Sequence, residues 1–213
     1  MTPLLDFLLP QTSLTGQTGV WFTPEELQSL FQEKSVRRLE EEELRLRHLP
    51  EVSRLVAVTE YSRAPLIRLA LHRLKYQGII DYAEPLGRLM VTLALHLQTP
   101  TIDAVCPVPL HWSRRFWRGF NQAELLAGPL ARELGVPLLP LLRRRRGGKT
   151  QVGRTAGERR EALAGAFRAS SVPRHVLLVD DVVTTGATIL ACSTALREAG
   201  AEWVSVACLA YAA

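Results

Sequence analysis

The chain has 213 residues, 47% of them hydrophobic and 22% charged, with a formal net charge of +5 at pH 7. It can therefore bury a full core, and no stretch reaches the roughly 18 unbroken apolar residues that a membrane span needs. Met1 to Pro10 is apolar but carries Asp6, lacks a basic start and is too short to span a bilayer, so a cytoplasmic protein is expected.

The charge is unevenly divided. Residues 1 to 60 carry a net −4, residues 61 to 213 a net +9, and residues 110 to 160 alone a net +9. Such a field attracts a polyanion, either a small phosphorylated ligand or nucleic acid. The three cysteines, Cys106, Cys192 and Cys208, are an odd number with no CxxC spacing and no secretory signal. They read as small buried hydrophobes in a reducing compartment, and no structural zinc is expected.

In chain order, Thr23-Pro24-Glu25-Glu26 combines an N-cap, proline at the first helical position and glutamate at the third, predicting a helix from about Pro24 into the forties. Its Glu40 to Glu43 run reads as a solvated face. Leu55 to Thr59 fits a short strand, and apolar spacing supports helices near Ala64 to Tyr76 and Tyr82 to Leu97, punctuated by Gly78 and Pro100. From there strands and helices alternate. Ala104 to Val108 is the first core strand, Gln122 to Leu134 a helix, and Leu138 to Leu142 a strand. His175 to Val179 is a strand, Ala187 to Glu198 a helix, and Trp203 to Leu209 a strand. Strands separated by helical segments imply an α/β fold with a doubly wound, mainly parallel sheet. Residues 1 to 60 form a helical N-terminal segment, and residues 61 to 213 the main domain. No segment after the last strand is long enough to cover the sheet's rim, so hood elements are expected within about 61 to 100.

The most telling stretch runs from Val176 to Thr188. An apolar run buried on both faces delivers Asp180 and Asp181 to the carboxyl-end rim of a parallel sheet. Two carboxylates there accept hydrogen bonds from a ribose cis-diol or hold Mg²⁺ through water. Val182 leads on to Thr184, Thr185, Gly186, Ala187 and Thr188, a turn into a helix N-terminus whose backbone N–H groups suit a phosphate monoester, with Gly186 allowing close approach.

At these residues the chain resembles the type I phosphoribosyltransferases, whose motif for 5-phosphoribosyl-1-pyrophosphate (PRPP) is an apolar run, two acidic residues and a Thr-Gly loop. A narrower resemblance, to the ComF/GntX-like (competence protein F) family, rests on Pro107-Val108-Pro109-Leu110, Arg114-Arg115 and Arg118 to Ala127. It extends to Gln151, Arg159-Arg160, Leu163 to Phe167, and Leu74-Lys75-Tyr76-Gln77-Gly78 with Leu86-Gly87 in the central region. Ala162 stands where that family usually has Asn. Many members begin with zinc-binding cysteine pairs; here Thr12 and Thr15 precede Gly16 where Cys-x-x-Cys-Gly is expected, so residues 1 to 60 resemble a degenerate zinc-finger region.

The resemblance implies PRPP as ligand and Mg²⁺ as cofactor. It implies transfer of the phosphoribosyl group with release of pyrophosphate, catalysed by Asp180, Asp181 and Lys149. Asp180 and Asp181 are then the metal-facing pair, acting through water. Leu110, His111, Arg114, Arg115 and Arg118, in a loop after the first core strand, are placed to hold pyrophosphate. Arg143 through Gly157 is placed as a lid, with Arg146, Lys149, Gln151 and Arg154 as its contributors, although the Arg143 to Arg146 run also reads as a solvated loop. A link to DNA uptake in natural competence, and to proteins of the competence machinery, follows from the family alone. Trp112, Phe116, Trp117 and Phe120 are interleaved with arginine; core packing is expected for them, with base stacking the alternative. A second reading of the whole chain is a non-catalytic or regulatory protein that binds single-stranded DNA through its basic segment. His72, His96 and His111 are expected to be bystanders.

Overall fold

The computed structural model describes residues 11–97, 101–110, 112–145, 163 and 165–212, without the side chains of Trp112 and Arg114. Residues 11 to 19 form a tight hairpin, bridged at Thr12 and Thr18, and lead into helix α1 (Pro24–Gln32). The expected capping box is present: the Thr23 hydroxyl accepts from Glu26 N at 3.1 Å, and the Glu26 carboxylate accepts from Thr23 N at 2.9 Å.

The helix stops at Glu33 instead of running into the forties. Ser35 N donates to the Val58 carbonyl at 2.9 Å, and Arg37–Leu39 becomes the short strand β1, with Leu39 fully buried. Sheet pairing overrides local helix propensity here. A second short helix, α2 (Glu41–Leu46), carries Glu41 to Glu43 in its first turn. Strand β2 (Arg54–Glu60) follows, buried from Leu55 to Thr59.

Helix α3 (Pro65–His72) starts on proline, and its Leu66 and Ile67 N–H groups are capped across space by the Glu33 carboxylate, both at 2.9 Å. It then widens into a π-turn over Arg73–Gln77, closed by Gly78 at φ +71°. Helix α4 (Ala83–Val91) ends before the predicted Leu97, giving way to a 3₁₀ turn at Ala94–His96.

Strand β3 (Ala104–Pro107) leads to α5 (Trp112–Arg118), a helix where a loop is expected from sequence, and then to α6 (Gln122–Leu134). The predicted strand at Leu138 to Leu142 is broken up: Leu138 makes one parallel bridge to Val105, and Leu142 starts a separate ribbon. Pro137 and Pro140 flank that bridge, and neither has an N–H to extend a ladder. An unanticipated antiparallel ribbon joins β4 (Leu142–Arg144) to β5 (Phe167–Ala169). Strand β6 (His175–Val183), helix α7 (Ala187–Glu198) and strand β7 (Trp203–Tyr211) complete the chain, both strands extending past their predicted ends.

The main sheet has the order β1-β2-β7-β6-β3, with β1 antiparallel and the rest parallel. Strands β1 and β2 come from residues 1 to 60, so the sheet draws on both sides of that boundary. Side chains alternate along β6. Leu177 and Val179 face an apolar layer built from α3, α4 and α6; Val176 and Leu178 face a second layer containing Ile189, Cys192 and Leu196 of α7. Helices therefore cover both faces, as in a doubly wound α/β fold. Helix α6 leads from β3 to its outer edge, where Leu138 bridges, whereas α7 leads from β6 back to β7. The two connections diverge, leaving a crevice at the carboxyl ends of β3 and β6.

Candidate functional site

Two elements end at that crevice. On the β3 side, Val108 N donates to the Val179 carbonyl at 2.8 Å. The Asn121 amide donates to the Val108 carbonyl at 3.1 Å and accepts from Ala123 N at 3.2 Å. Asn121 is thus the N-cap of α6 and pins its start to the end of β3.

On the β6 side, Asp180 and Asp181 lie inside the strand rather than beyond it, because β7 continues to pair as far as Tyr211. Adjacent strand residues point to opposite faces. Asp181 shares the face of Leu177 and Val179 and is buried; Asp180 shares the face of Val176 and Leu178 and is partly exposed at the rim. Asp180 accepts from Asp181 N at 2.8 Å, and Asp181 Oδ1 accepts from Val182 N at 2.6 Å. Desolvation, then the charge of Asp181, pushes the Asp180 carboxyl well above the usual carboxylate range, and the Lys75 ammonium opposes this.

Lys75 is the residue that sequence reasoning missed. Its Nζ lies 2.6 Å from Asp181 Oδ2, an atom with no other polar partner among the described residues. The signal was present: Leu71, Leu74 and Lys75 stand at i, i+3 and i+4, which places the lysine on the apolar face of its helical segment.

After β6, Thr184 is exposed, Thr185 and Thr188 are half-buried, and Gly186 is the N-cap of α7 at φ +71°. No side chain among the described residues caps this helix, so the first-turn N–H groups around Ala187 and Thr188 face the crevice without a side-chain acceptor there. A Cβ on Gly186 would lie 3.0 Å from Leu49 Cδ2. The loop after α2 thus supports this turn from below.

The residues predicted to hold pyrophosphate are distributed along α5 and its approach. Leu110 is half-buried, Arg115 is exposed, and Arg118 donates to Gln122 Oε1 at 2.6 Å with its guanidinium 5.7 Å from the centre of the Tyr76 ring. His111 and the side chain of Arg114 lie outside the described residues, as do Arg146, Lys149, Gln151 and Arg154 of the predicted lid. Arg143 and Arg144, at the start of that lid, belong to β4.

Core packing holds for Phe120, which is half-buried against the α3/α4/α6 layer. It does not hold for Phe116 and Trp117, which are 84% and 88% exposed. The seven-residue helix α5 turns both rings outward, away from the sheet. His72 packs against Tyr76 with the rings tilted and their centres 4.8 Å apart. All three cysteines are buried, and burial pushes the Cys106 thiol up to about 11. Among the described residues, no group of three or more His, Cys, Asp or Glu is placed to hold a metal, and no helix is long and apolar enough to cross a membrane.

The mainly parallel α/β sheet, the acidic strand end and the glycine turn opening a helix lie within or beside residues 121–213, which match the phosphoribosyl transferase domain family. The DNA utilization protein YhgH of Escherichia coli is 41% identical over 171 residues, covering 75% of this chain and 73% of that protein. Competence protein F of Haemophilus influenzae is 34% identical over 171 residues, covering 76% and 74%. The chain belongs to this competence protein F/YhgH family. Among solved structures it is similar to a purine phosphoribosyltransferase from Pyrococcus horikoshii, with 24% identity, a TM-score of 0.39, and coverage of 60% of this chain and 73% of that one.

Proposed function

We propose that the chain binds Mg-PRPP in the crevice between β3 and β6 and transfers its phosphoribosyl group with release of pyrophosphate. The observation that carries this reading is the continuity of β6 into the turn. Partly exposed Asp180 stands a few residues before the uncapped N-terminus of α7, the spacing over which a ribose 5-phosphate presents hydroxyls and phosphate. In this reading the Thr184 to Thr188 turn holds the 5-phosphate, Asp180 accepts from a ribose hydroxyl, and Asp181 completes the acidic rim. Arg115 and Arg118, joined by Arg114 and the lid residues Arg146, Lys149, Gln151 and Arg154, neutralise the leaving pyrophosphate as positive charge develops on the sugar.

Asp180 at the rim, with no cage of three or more His, Cys, Asp or Glu around it among the described residues, suits Mg²⁺ that arrives on the phosphate oxygens and keeps most of its water, the cation's charge favouring the ionised carboxylate. Asp180 would contact it through that water, and the metal supplies charge neutralisation of the leaving group. The working compartment in this reading is the reducing cytoplasm, in keeping with three buried, unpaired thiols. The names of the relatives attach the activity to DNA utilisation and competence, and competence-machinery proteins are the partners this suggests.

The test is calorimetric titration of the full chain with PRPP, with and without Mg²⁺, beside an Asp180→Asn/Asp181→Asn variant. Saturable binding that the variant loses is the expected result. Absence of binding by folded wild-type protein refutes the proposal.

A second reading, single-stranded DNA binding, is favoured by one observation: Phe116 and Trp117 stand exposed beside Arg115 in the most basic part of the chain. Exposed aromatic rings interleaved with arginine suit base stacking and backbone contact. Its expected signature is an affinity whose logarithm falls with the logarithm of salt concentration.

A further inference from the structure

We propose that Lys75 is a positioning residue that divides the labour of the two adjacent carboxylates: it fixes Asp181 as part of the scaffold and leaves Asp180 as the carboxylate that meets the ribose. The inference rests on the PRPP reading above and concerns how its acidic rim is built.

Strand alternation separates the two groups first. Asp181 points into the layer that contains the π-turn, whereas Asp180 points toward the α7 layer and reaches the rim. Hydrogen bonding separates them further. Both Asp181 oxygens are engaged within the protein, Oδ1 by Val182 N at 2.6 Å and Oδ2 by Lys75 Nζ at 2.6 Å. The Asp181 side chain is 6% exposed and that of Lys75 19%, so the pair is largely shielded from water. Asp180 receives one short bond, from the backbone N of Asp181. Freezing Asp181 therefore also fixes the peptide that orients Asp180.

The lysine is itself held from behind. Arg73, two residues earlier in the π-turn, donates to the carbonyls of Thr12 at 2.6 Å, Ser13 at 2.7 Å and Leu14 at 3.3 Å, and to the Tyr82 hydroxyl at 2.8 Å. On its other side Tyr76 faces the Arg118 guanidinium. The π-turn is thus tied at Arg73 to the N-terminal hairpin, at Lys75 to the acidic strand and at Tyr76 to α5. Single π-turns are frequent at functional sites, and this one carries Lys75. A shielded ammonium held from behind and paired with a buried carboxylate is preorganised.

The experiment measures Mg-PRPP affinity by calorimetry, and melting temperature in parallel, for full-length wild type, Lys75→Met, Lys75→Arg, Asp181→Asn and the Lys75→Met/Asp181→Asn double variant. Lys75→Met is expected to weaken binding by about tenfold or more, and Lys75→Arg to restore most of the loss. In the Asp181→Asn background, Lys75→Met is expected to add no further loss, because the lysine acts through Asp181. The double variant removes both buried charges together and keeps the test alive should Lys75→Met alone fail to fold. Wild-type binding with an unaffected Lys75→Met, or full additivity of the two losses, overturns the proposal while leaving the PRPP reading intact. A folded wild type that ignores Mg-PRPP overturns both.

Discussion

Replacing Glu26 by glutamine is expected to expose what organises the N-terminal hairpin. The Glu26 carboxylate accepts from the Ser13 hydroxyl at 2.8 Å, Thr15 N at 2.5 Å and Thr23 N at 2.9 Å, and the residue is only 4% exposed. Burial by itself would raise its pKa, but the bonds from Thr15, Thr23 and Ser13 outweigh burial and hold it at about 2, below the usual 4.5. A carboxylate depressed in the folded state contributes stability that is complete above the unfolded value and is lost as pH falls toward the folded one. The contribution at pH 7 is roughly 3 kcal/mol, narrowing to about 1.5 kcal/mol at pH 3. Glutamine turns one acceptor into a donor facing other donors, so Glu26→Gln is expected to lose approximately this amount at pH 7. Urea unfolding of both proteins, followed by tryptophan fluorescence at pH 7 and pH 3, measures it. A difference within about 0.5 kcal/mol at pH 7, or one that does not shrink at low pH, refutes the reasoning.

Gly186→Ala forces a Cβ into a left-handed backbone and to within 3.0 Å of Leu49 Cδ2. It is expected to cost about 1–2 kcal/mol in thermal unfolding and to weaken Mg-PRPP binding more than stability alone explains. Gly87→Ala places a Cβ 2.8 Å from the Pro129 ring, where α4 and α6 meet. A rigid ring cannot swing away, so a loss of about 1–3 kcal/mol is expected, and adding Pro129→Ala should recover part of it. Phe116→Ser/Trp117→Ser removes two rings already in water and should shift stability by no more than about 0.5 kcal/mol. If the DNA reading is right, the same variant loses single-stranded DNA affinity in a fluorescence anisotropy titration while Mg-PRPP binding is unchanged.

Long periodic segments were legible from the residues alone. Gln122 to Leu134 and Ala187 to Glu198 carry unbroken helical spacing, and Val176 to Val179 a continuous buried run, and all three lie where the pattern puts them. Short elements were decided by partners distant in sequence. Arg37–Leu39 looks helical locally, yet its residues pair with Leu55 to Ala57, and no window of the sequence contains that information. Leu138 to Leu142 has strand composition, but Pro137 precedes it and Pro140 interrupts it, a local signal against a continuous ladder. The residue types of the acidic motif were readable. The opposite facing of Asp180 and Asp181 followed from strand alternation only once β6 was known to continue through both. The lysine facing Asp181 comes from a segment about one hundred residues earlier, and only the tertiary fold brings the two together.

The placement of β2 has a consequence for how the molecule is made. Its neighbours in the sheet are β1 and β7, so among the described residues the parallel partner of Arg54–Glu60 is Trp203–Tyr211. During synthesis Leu55 to Ala57 must wait, unpaired on that edge, for a strand about 150 residues downstream, a highly non-local contact of the kind that slows folding. Until then the early strands offer an apolar edge to other nascent chains. Strand β1, with its two arginines, covers the opposite edge of β2 and leaves that one open.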